Sequence, residues 1–193
     1  MTSGIAVATA IALSASVVAA GAMYDARPPL AHTGGFGEPT CLECHFDGPP
    51  ETPNVVTLGG VPERYAPGSV YRLEVGIRDS AARIAGFQLA VRVADGPNAG
   101  TQAGTLCAVD TRVDVTTDTA SGVQYASHAL AAPADSMRWV VEWRAPTGDM
   151  GAVLVSVAAN AANDDDSPFG DRILVGGWRV DGAGNTVKTS GAP

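Results

Sequence analysis

The stretch VYRLEVGIRD, residues 70–79, alternates apolar and polar side chains. Tyr71, Leu73, Val75 and Ile77 fall on one face, opposite a face that carries charged residues. A repeat of two is the period of a β-strand, because successive side chains point to opposite faces of a sheet. When one face packs on a core and the other meets water, the sequence shows this alternation. The stretch therefore predicts a half-buried strand.

Two further stretches, residues 87–93 and 137–143, show the same alternation. In the first, we expect Gln88 and Arg92 on the solvent-exposed face. Weaker runs predict further strands, near residues 106–109, 112–116, 123–130, 152–158 and 172–180. The chain contains 23 Gly and 13 Pro, which suit turns between short strands. These features predict an all-β antiparallel sandwich, with a core that includes Phe87, Met137, Trp139 and Trp143.

The size and charge of the chain limit its function. Its 193 residues suffice for one substantial domain. The formal net charge of -8 argues against nucleic-acid binding, which requires a basic face. An acidic surface instead suits a basic protein partner.

The pentapeptide Cys41-Leu42-Glu43-Cys44-His45 is the attachment signature of c-type haem. The two thiols of such a motif add to the two vinyl groups of one porphyrin, and the histidine becomes the proximal iron ligand. Two alternatives stay open at this stage. The cysteines could form a disulfide or a thiol pair, or Cys41, Cys44 and His45 could join Cys107 in a zinc site. We expect Cys107, the third cysteine of the chain, to be buried in a strand.

The N-terminal segment is predicted to direct export. Residues 5–20 are a run of small apolar side chains, and Ala20-Gly21-Ala22 matches a cleavage site. The alternative is an uncleaved anchor over residues 4–22. We therefore predict an N-terminal apolar helix within residues 1–22 that serves as a signal peptide or membrane anchor. We also predict a periplasmic or extracellular location. Export agrees with the haem motif, because haem is attached to thiols outside the cytoplasm.

Glycine and proline interrupt residues 23–54 on both sides of the cysteines, which predicts an irregular haem-attachment loop. The sandwich is predicted to follow over residues 55–182, and a polar tail over residues 183–193.

Short motifs spaced along the chain give a resemblance to a known family. Their order resembles that of the reeler (reelin-type) domain, in particular bacterial secreted forms preceded by a c-type haem motif. The matching segments are Thr33-Gly34-Gly35, Thr40 to His45, Tyr65-Ala66-Pro67-Gly68, Gly86-Phe87-Gln88-Leu89, Ser127-His128, Trp139, Trp143-Arg144-Ala145-Pro146, Ala158-Ala159-Asn160 and Gly170-Asp171. The resemblance covers roughly residues 33 to 175 and implies an immunoglobulin-like β-sandwich. It implies little chemistry, since a fold does not fix a function.

The candidates for the distal position on the iron are His32, His128, Met137 and Met150. His32 lies nine residues before Cys41, in a segment that could fold over the porphyrin ring. His128 lies in a predicted strand, where a hydrogen-bonded structural histidine is the alternative. Met137 is predicted to pack in the core. We therefore select His128 or His32 as the candidate distal ligand, and a histidine there gives a lower reduction potential than a methionine.

Two other sets of polar residues invite interpretation. Calcium would accept the oxygen-rich set Asn160, Asn163, Asp164, Asp165 and Asp166, but the missing EF-hand spacing favours a solvated turn. Arg64, Arg72 and Arg83 are candidate partners for haem propionates.

These observations favour an exported monohaem c-type cytochrome that carries single electrons to a redox partner protein. The alternative is a secreted or membrane-tethered sandwich that serves as a binding or accessory subunit of a membrane electron-transfer complex, with haem structural or absent. Neither hypothesis makes the protein an enzyme, because the sequence shows no nucleophile elbow and no His-Glu-x-x-His motif.

Overall fold

The computed structural model describes residues 27–48, 55–134 and 137–184. The predicted signal peptide or anchor and residues 185–193 of the predicted tail lie outside these ranges. Within them, the chain forms two short 3-10 turns, Gly35–Gly37 and Cys41–Glu43. Its strands are β1 (Phe46–Asp47), β2 (Val55–Gly59), β3 (Val70–Arg78), β4 (Ile84–Val93), β5 (Thr105–Ala108), β6 (Val113–Thr117), β7 (Gln124–His128), β8 (Ala132–Pro133), β9 (Arg138–Arg144), β10 (Val153–Ala162) and β11 (Phe169–Val180).

The strands form two sheets. One has seven strands, in the order β1-β11-β10-β4-β7-β6, with β8 paired to β4. The other has four strands, in the order β2-β3-β9-β5. All pairs are antiparallel except β1 with β11, which is parallel. The prediction of an all-β antiparallel sandwich is confirmed. In the described part of the chain, no helix has the length and apolar character needed to span a membrane.

The core lies between the two sheets and is rich in aromatic side chains. Trp139 and Trp143 are fully buried, and Phe87 packs on Trp139 with ring centroids 4.8 Å apart. The indole nitrogen of Trp143 donates to the carbonyl of Ala103 at 2.9 Å, which satisfies its polar atom inside the core. Met137 is 5% exposed and packs in the same cluster. The predicted core residues are therefore confirmed.

The outer face of β4 differs from the prediction. Gln88 and Arg92 are 0% and 5% exposed, so the expectation of a solvent-exposed face is wrong. The N-terminal segment, residues 27–48, covers this face of the seven-stranded sheet. A sheet shows one solvent-exposed face only where nothing packs on that face. The segment packs on it here, so β4 is buried on both sides.

Polar side chains hold the N-terminal segment on the sheet. Gln88 accepts from the backbone N–H of His32 at 2.7 Å and donates to the carbonyl of Pro29 at 2.9 Å. The guanidinium of Arg92 lies 2.7 Å from the carboxylate of Glu38, and both side chains are almost buried. Arg92 also donates to the hydroxyl of Thr33 at 3.1 Å. The segment that carries the haem motif is thus fixed to the sandwich by a buried polar network.

The expectation for Cys107 is wrong in one respect. Cys107 lies in a strand, β5, as predicted, but that strand is at the edge of the four-stranded sheet and the residue is exposed.

Candidate functional site

The cysteine motif forms a tight turn. Its 3-10 helix, Cys41–Glu43, starts where the hydroxyl of Thr40 accepts from the backbone N–H of Leu42 at 3.2 Å. The backbone N–H groups of Cys44 and His45 both donate to the carbonyl of Cys41, at 3.2 Å and 3.0 Å. This turn keeps the two cysteines and His45 close together, although no regular helix surrounds them.

A cavity of about 650 Å³ lies between this turn and the outer face of the seven-stranded sheet. Both motif cysteines and all three histidines of the chain line it: Cys41, Cys44, His45, His32 and His128. Apolar walls come from the segment at Pro28 and Pro29, from the sheet at Ile84, and from Pro168 just before β11. Its volume falls within the roughly 300–1,000 Å³ of cofactor sites. Neither Met137 nor Met150 is among the described residues that line it.

A buried carboxylate holds the imidazole of His45. Nδ1 of His45 lies 2.6 Å from Oδ2 of Asp171, whose side chain is 2% exposed, while that of His45 is 34% exposed. The side-chain amide of Asn160 donates to the same carboxylate oxygen at 3.2 Å and lies 3.0 Å from Nδ1 of His45. The backbone N–H of Asn163 donates to the other oxygen at 3.3 Å. With Nδ1 donating to Asp171, Nε2 is the nitrogen of His45 left for a metal. The amide nitrogen of Asn160 lies 3.3 Å from it, so binding a metal there requires this amide to turn away.

The backbone of Phe87 holds Nδ1 of His128. Nδ1 lies 3.0 Å from the backbone nitrogen of Phe87 and 3.1 Å from its carbonyl oxygen. Burial lowers the pKa of His128, so its imidazole is neutral at pH 7. Nε2 makes no hydrogen bond to the part of the chain that the structure describes. The prediction of a hydrogen-bonded strand histidine is confirmed, and the same residue also lines the cavity.

His32 has both ring nitrogens occupied. Nδ1 lies 2.8 Å from the carbonyl of Leu30, and Nε2 lies 2.5 Å from the carboxylate of Glu43. Binding iron through Nε2 would require this contact to Glu43 to break. Of the two predicted distal candidates, only His128 has a ring nitrogen without a hydrogen bond to the described residues.

The three cysteines are all described, and each is a free thiol. Burial raises the pKa of the Cys41 thiol to about 11, whereas thiol-exchange motifs lower the pKa of their reactive cysteine. Cys107 lies in the four-stranded sheet, away from the other two cysteines. Among the described residues, no three His, Cys, Asp or Glu side chains come together as a metal site.

The acidic loop borders the same cavity. Asp164, Asp165 and Asp166 line its rim, and Asp165 accepts from the amide of Asn163 at 3.0 Å and from the backbone N–H of Ser167 at 3.0 Å. These are bonds within a turn.

Of the described residues that line the cavity, none is an arginine or a lysine, so the candidates Arg64, Arg72 and Arg83 are not placed in it.

Sequence reasoning missed Asp171 and the contact of Asn160 with His45. Asp171 lies 126 residues from His45 along the chain. The strand register places Asp171 beside Asn160, because β11 pairs with β10 so that Ala161 lies opposite Arg172. Both residues stand in segments that carry the reeler resemblance, Ala158-Ala159-Asn160 and Gly170-Asp171, but the resemblance assigned neither a role. A polar residue inside the Ala-rich strand β10 was a further signal for Asn160.

The class of protein that these features define is a β-sandwich with a cysteine–histidine motif docked on its outer face. Among solved structures, two fragments of the human F-spondin reeler domain are similar. The first has 16% identity and a TM-score of 0.48, over 72% of this chain and 92% of that chain. The second has 19% identity and a TM-score of 0.47, over 70% and 95%. A cohesin module from a Clostridium perfringens family 33 glycoside hydrolase has 12% identity and a TM-score of 0.42, over 67% and 96%.

No protein-family model matches the chain, and no curated protein matches it. The fold assignment therefore rests on the strands and their pairing.

Proposed function

We propose that the protein is an exported monohaem c-type cytochrome that carries single electrons. The observation that supports this function best is the convergence of Cys41, Cys44 and His45 on one cavity of about 650 Å³. A signature motif found in sequence gains weight when its residues line a cofactor-sized, mostly apolar space.

The residues fit haem through the chemistry of their donor set. Cys41 and Cys44 are free thiols available for two thioether bonds, and His45 keeps Nε2 for iron because Nδ1 is held by Asp171. Haem bound there supplies a reversible one-electron Fe³⁺/Fe²⁺ couple. The protein contributes the orientation of the ligand and the partial exclusion of water by the proline-rich wall.

His128 is our proposed distal ligand. Its ring is neutral, and with Nδ1–H donating to the carbonyl of Phe87 at 3.1 Å the ring keeps a lone pair on Nε2. Nε2 makes no hydrogen bond within the described part of the chain. His32 would first have to leave Glu43, so we place it beside the haem as a residue of the cavity wall. Ligation by two histidines gives a lower potential than ligation by histidine and methionine.

The proposed setting is periplasmic or extracellular, with a redox partner protein that accepts or donates the electron. We infer a basic docking site on that partner, because the chain carries a net charge of -8 and three aspartates line the rim of the cavity. If residues 1–22 are kept as a membrane anchor, the partner we propose is a membrane electron-transfer complex.

The test is to express the chain with a c-type maturation system and record a denaturing pyridine haemochrome spectrum. We expect a covalent c-type band that Cys41→Ala/Cys44→Ala abolishes. The matched control is Cys107→Ala, which removes the third thiol from an exposed edge strand and should leave the band unchanged. A folded wild-type protein without covalent haem would overturn the proposal.

The alternative function is a binding or accessory module. Exposed aromatic rings beside the motif favour it: Phe46 and Phe169 are 40% and 56% exposed, with ring centroids 5.7 Å apart. Exposed apolar patches of this kind mark interaction sites. The same haemochrome experiment separates the two functions, because this alternative does not require covalent haem.

A further inference from the structure

The carboxylate of Asp171 is buried beside a histidine. In the described part of the chain it contacts no arginine or lysine, and its titratable partner is His45. Its neighbour along β11, Arg172, pairs with Asp79 instead. A buried charge is costly unless it is paired or hydrogen-bonded, so such a group persists where its field is useful or where its partners compensate it.

The partners of Asp171 converge on one orientation of the His45 ring. Oδ2 accepts from Nδ1 of His45 at 2.6 Å and from the amide of Asn160 at 3.2 Å. Oδ1 accepts from the backbone N–H of Asn163 at 3.3 Å. These bonds fix the carboxylate, and the carboxylate fixes the tautomer of His45 that presents Nε2 to a metal. A carboxylate bound to the second nitrogen also makes a histidine a more electron-donating ligand.

We propose that Asp171 is a positioning residue that holds His45 for iron and lowers the reduction potential of the site; this rests on the proposed function. With haem bound, the site would take up one electron from a donor protein, and Asp171 would hold the Nδ1 side of His45 throughout. A buried negative charge stabilises the state with the higher positive charge, which is the oxidised one. The effect is strong here because the Asp171 side chain is almost completely removed from water.

Asp171→Asn removes the charge and keeps an amide oxygen that can accept from Nδ1 of His45, while the backbone N–H of Asn163 loses its acceptor. The matched control is Asp164→Asn, which removes one negative charge from the rim of the same cavity. It also suits the backbone there, because Asp164 has a φ of 62° and asparagine tolerates the left-handed region. The midpoint potential of each covalent holo-protein is measured by redox titration with optical detection.

We expect Asp171→Asn to retain covalent haem and to raise the midpoint potential clearly more than Asp164→Asn does. A shift no larger than that of Asp164→Asn, or a shift downward, overturns the inference while leaving the cytochrome intact. Failure of the proposed function has a different result, namely a wild-type protein without covalent haem.

A second measurement keeps the inference testable if Asp171→Asn does not fold. In the diamagnetic ferrous wild-type protein, proton NMR reports the Nδ1 proton of His45 directly. A carboxylate acceptor predicts a strongly downfield resonance in slow exchange with water. A rapidly exchanging proton without that downfield shift would overturn the inference.

Discussion

Gly86 leaves the space in which the ring of His128 lies. A Cβ atom at position 86 would come within 2.4 Å of Cε1 and 2.7 Å of Nδ1 of that ring. Nδ1 of the same ring lies within hydrogen-bond distance of the backbone N–H and carbonyl of Phe87, the next residue of β4. The orientation of the proposed distal ligand therefore depends on the absence of a side chain on the neighbouring strand.

Gly86→Ala is expected to displace His128 and to lower the free energy of unfolding by about 1–3 kcal/mol, the usual cost of an overpacked site. In the holo-protein, the loss of a distal histidine is expected to convert ferric haem from a low-spin to a high-spin absorption spectrum. Urea denaturation and visible spectroscopy measure the two effects.

Gly177→Ala is the matched control for that substitution. Gly177 lies in β11 of the same sheet, and a Cβ there meets only Leu154 at an ordinary 3.6 Å. We expect unchanged or slightly higher stability, because replacing a compatible glycine restricts the unfolded chain. Equal destabilisation by the two substitutions would contradict the role assigned to Gly86.

Tyr125 gives the protein a dependence on alkaline pH. Burial, followed by its hydrogen bond to Glu38, raises the pKa of Tyr125 above the ordinary value of 10.0. Burial also raises the pKa of Tyr65. The folded state thus binds these protons more tightly than the unfolded state. Their contribution to stability is complete below pH 10 and is lost as the pH rises above it.

We expect the free energy of unfolding to fall above pH 10, with a slope of up to about 1.4 kcal/mol per pH unit for each such tyrosine. Urea denaturation at several pH values between neutral and strongly alkaline measures the slope. Tyr125→Phe should lower stability at pH 7, since Glu38 loses a donor, and should flatten the alkaline slope. An unchanged slope in this variant would refute the assignment.

At the scale of elements, one buried ion pair lies at the centre of the network that holds the N-terminal segment on the sheet. Glu38 bridges Arg92 of β4, at 2.7 Å, and the hydroxyl of Tyr125 of β7, at 2.5 Å. Above Arg92, the ring of Phe36 stacks at 4.7 Å from the guanidinium carbon. The haem motif follows Glu38 within a few residues, so this pair also positions the proposed site.

Removing either partner of the pair leaves a buried charge uncompensated, which typically costs about 3–5 kcal/mol. We expect Glu38→Gln and Arg92→Met each to destabilise the protein and to expose the segment to limited proteolysis. The double variant should lose less than the sum of the single losses. Additive losses in urea denaturation would show that the two side chains do not stabilise each other.

The sequence predicted the strands whose alternation is decided by the core, but it did not predict how the segment docks. The runs at residues 70–79, 87–93 and 137–143 correspond to β3, β4 and β9. The outer face of β4 was predicted to be solvent-exposed. The residues that bury it lie far away in the chain: His32 and Gln88 are separated by 56 positions. Local patterning carries no information about such a partner.

The candidate site likewise contains residues that the sequence predicted and residues that it did not. Cys41, Cys44 and His45 were predicted together, since contiguous residues with fixed chemistry form a recognisable motif. Asp171 was not, because its importance arises from the pairing of β10 with β11 and of β1 with β11. A single aspartate at the start of a strand has no pattern that distinguishes a buried acceptor from a surface charge.

At the scale of the whole molecule, the two sheets separate the acidic rim of the cavity from the charges of the opposite face. Asp164, Asp165 and Asp166 lie at the cavity, on the side of the seven-stranded sheet. Glu74 and Glu142 lie in β3 and β9 of the other sheet. Charges near the point of electron entry act most strongly on a charged reagent, because salt screens interactions beyond about 8–10 Å.

A last prediction concerns the rate of electron exchange between the holo-protein and small charged reagents. With an anionic oxidant such as ferricyanide, the rate should rise with ionic strength, and with a cationic ruthenium ammine it should fall. Stopped-flow spectroscopy at several salt concentrations measures both slopes. Asp164→Asn/Asp166→Asn is expected to reduce them clearly, whereas Glu74→Gln/Glu142→Gln, with the same loss of two charges, should change them little. Equal effects of the two pairs would mean that electrons enter away from this cavity.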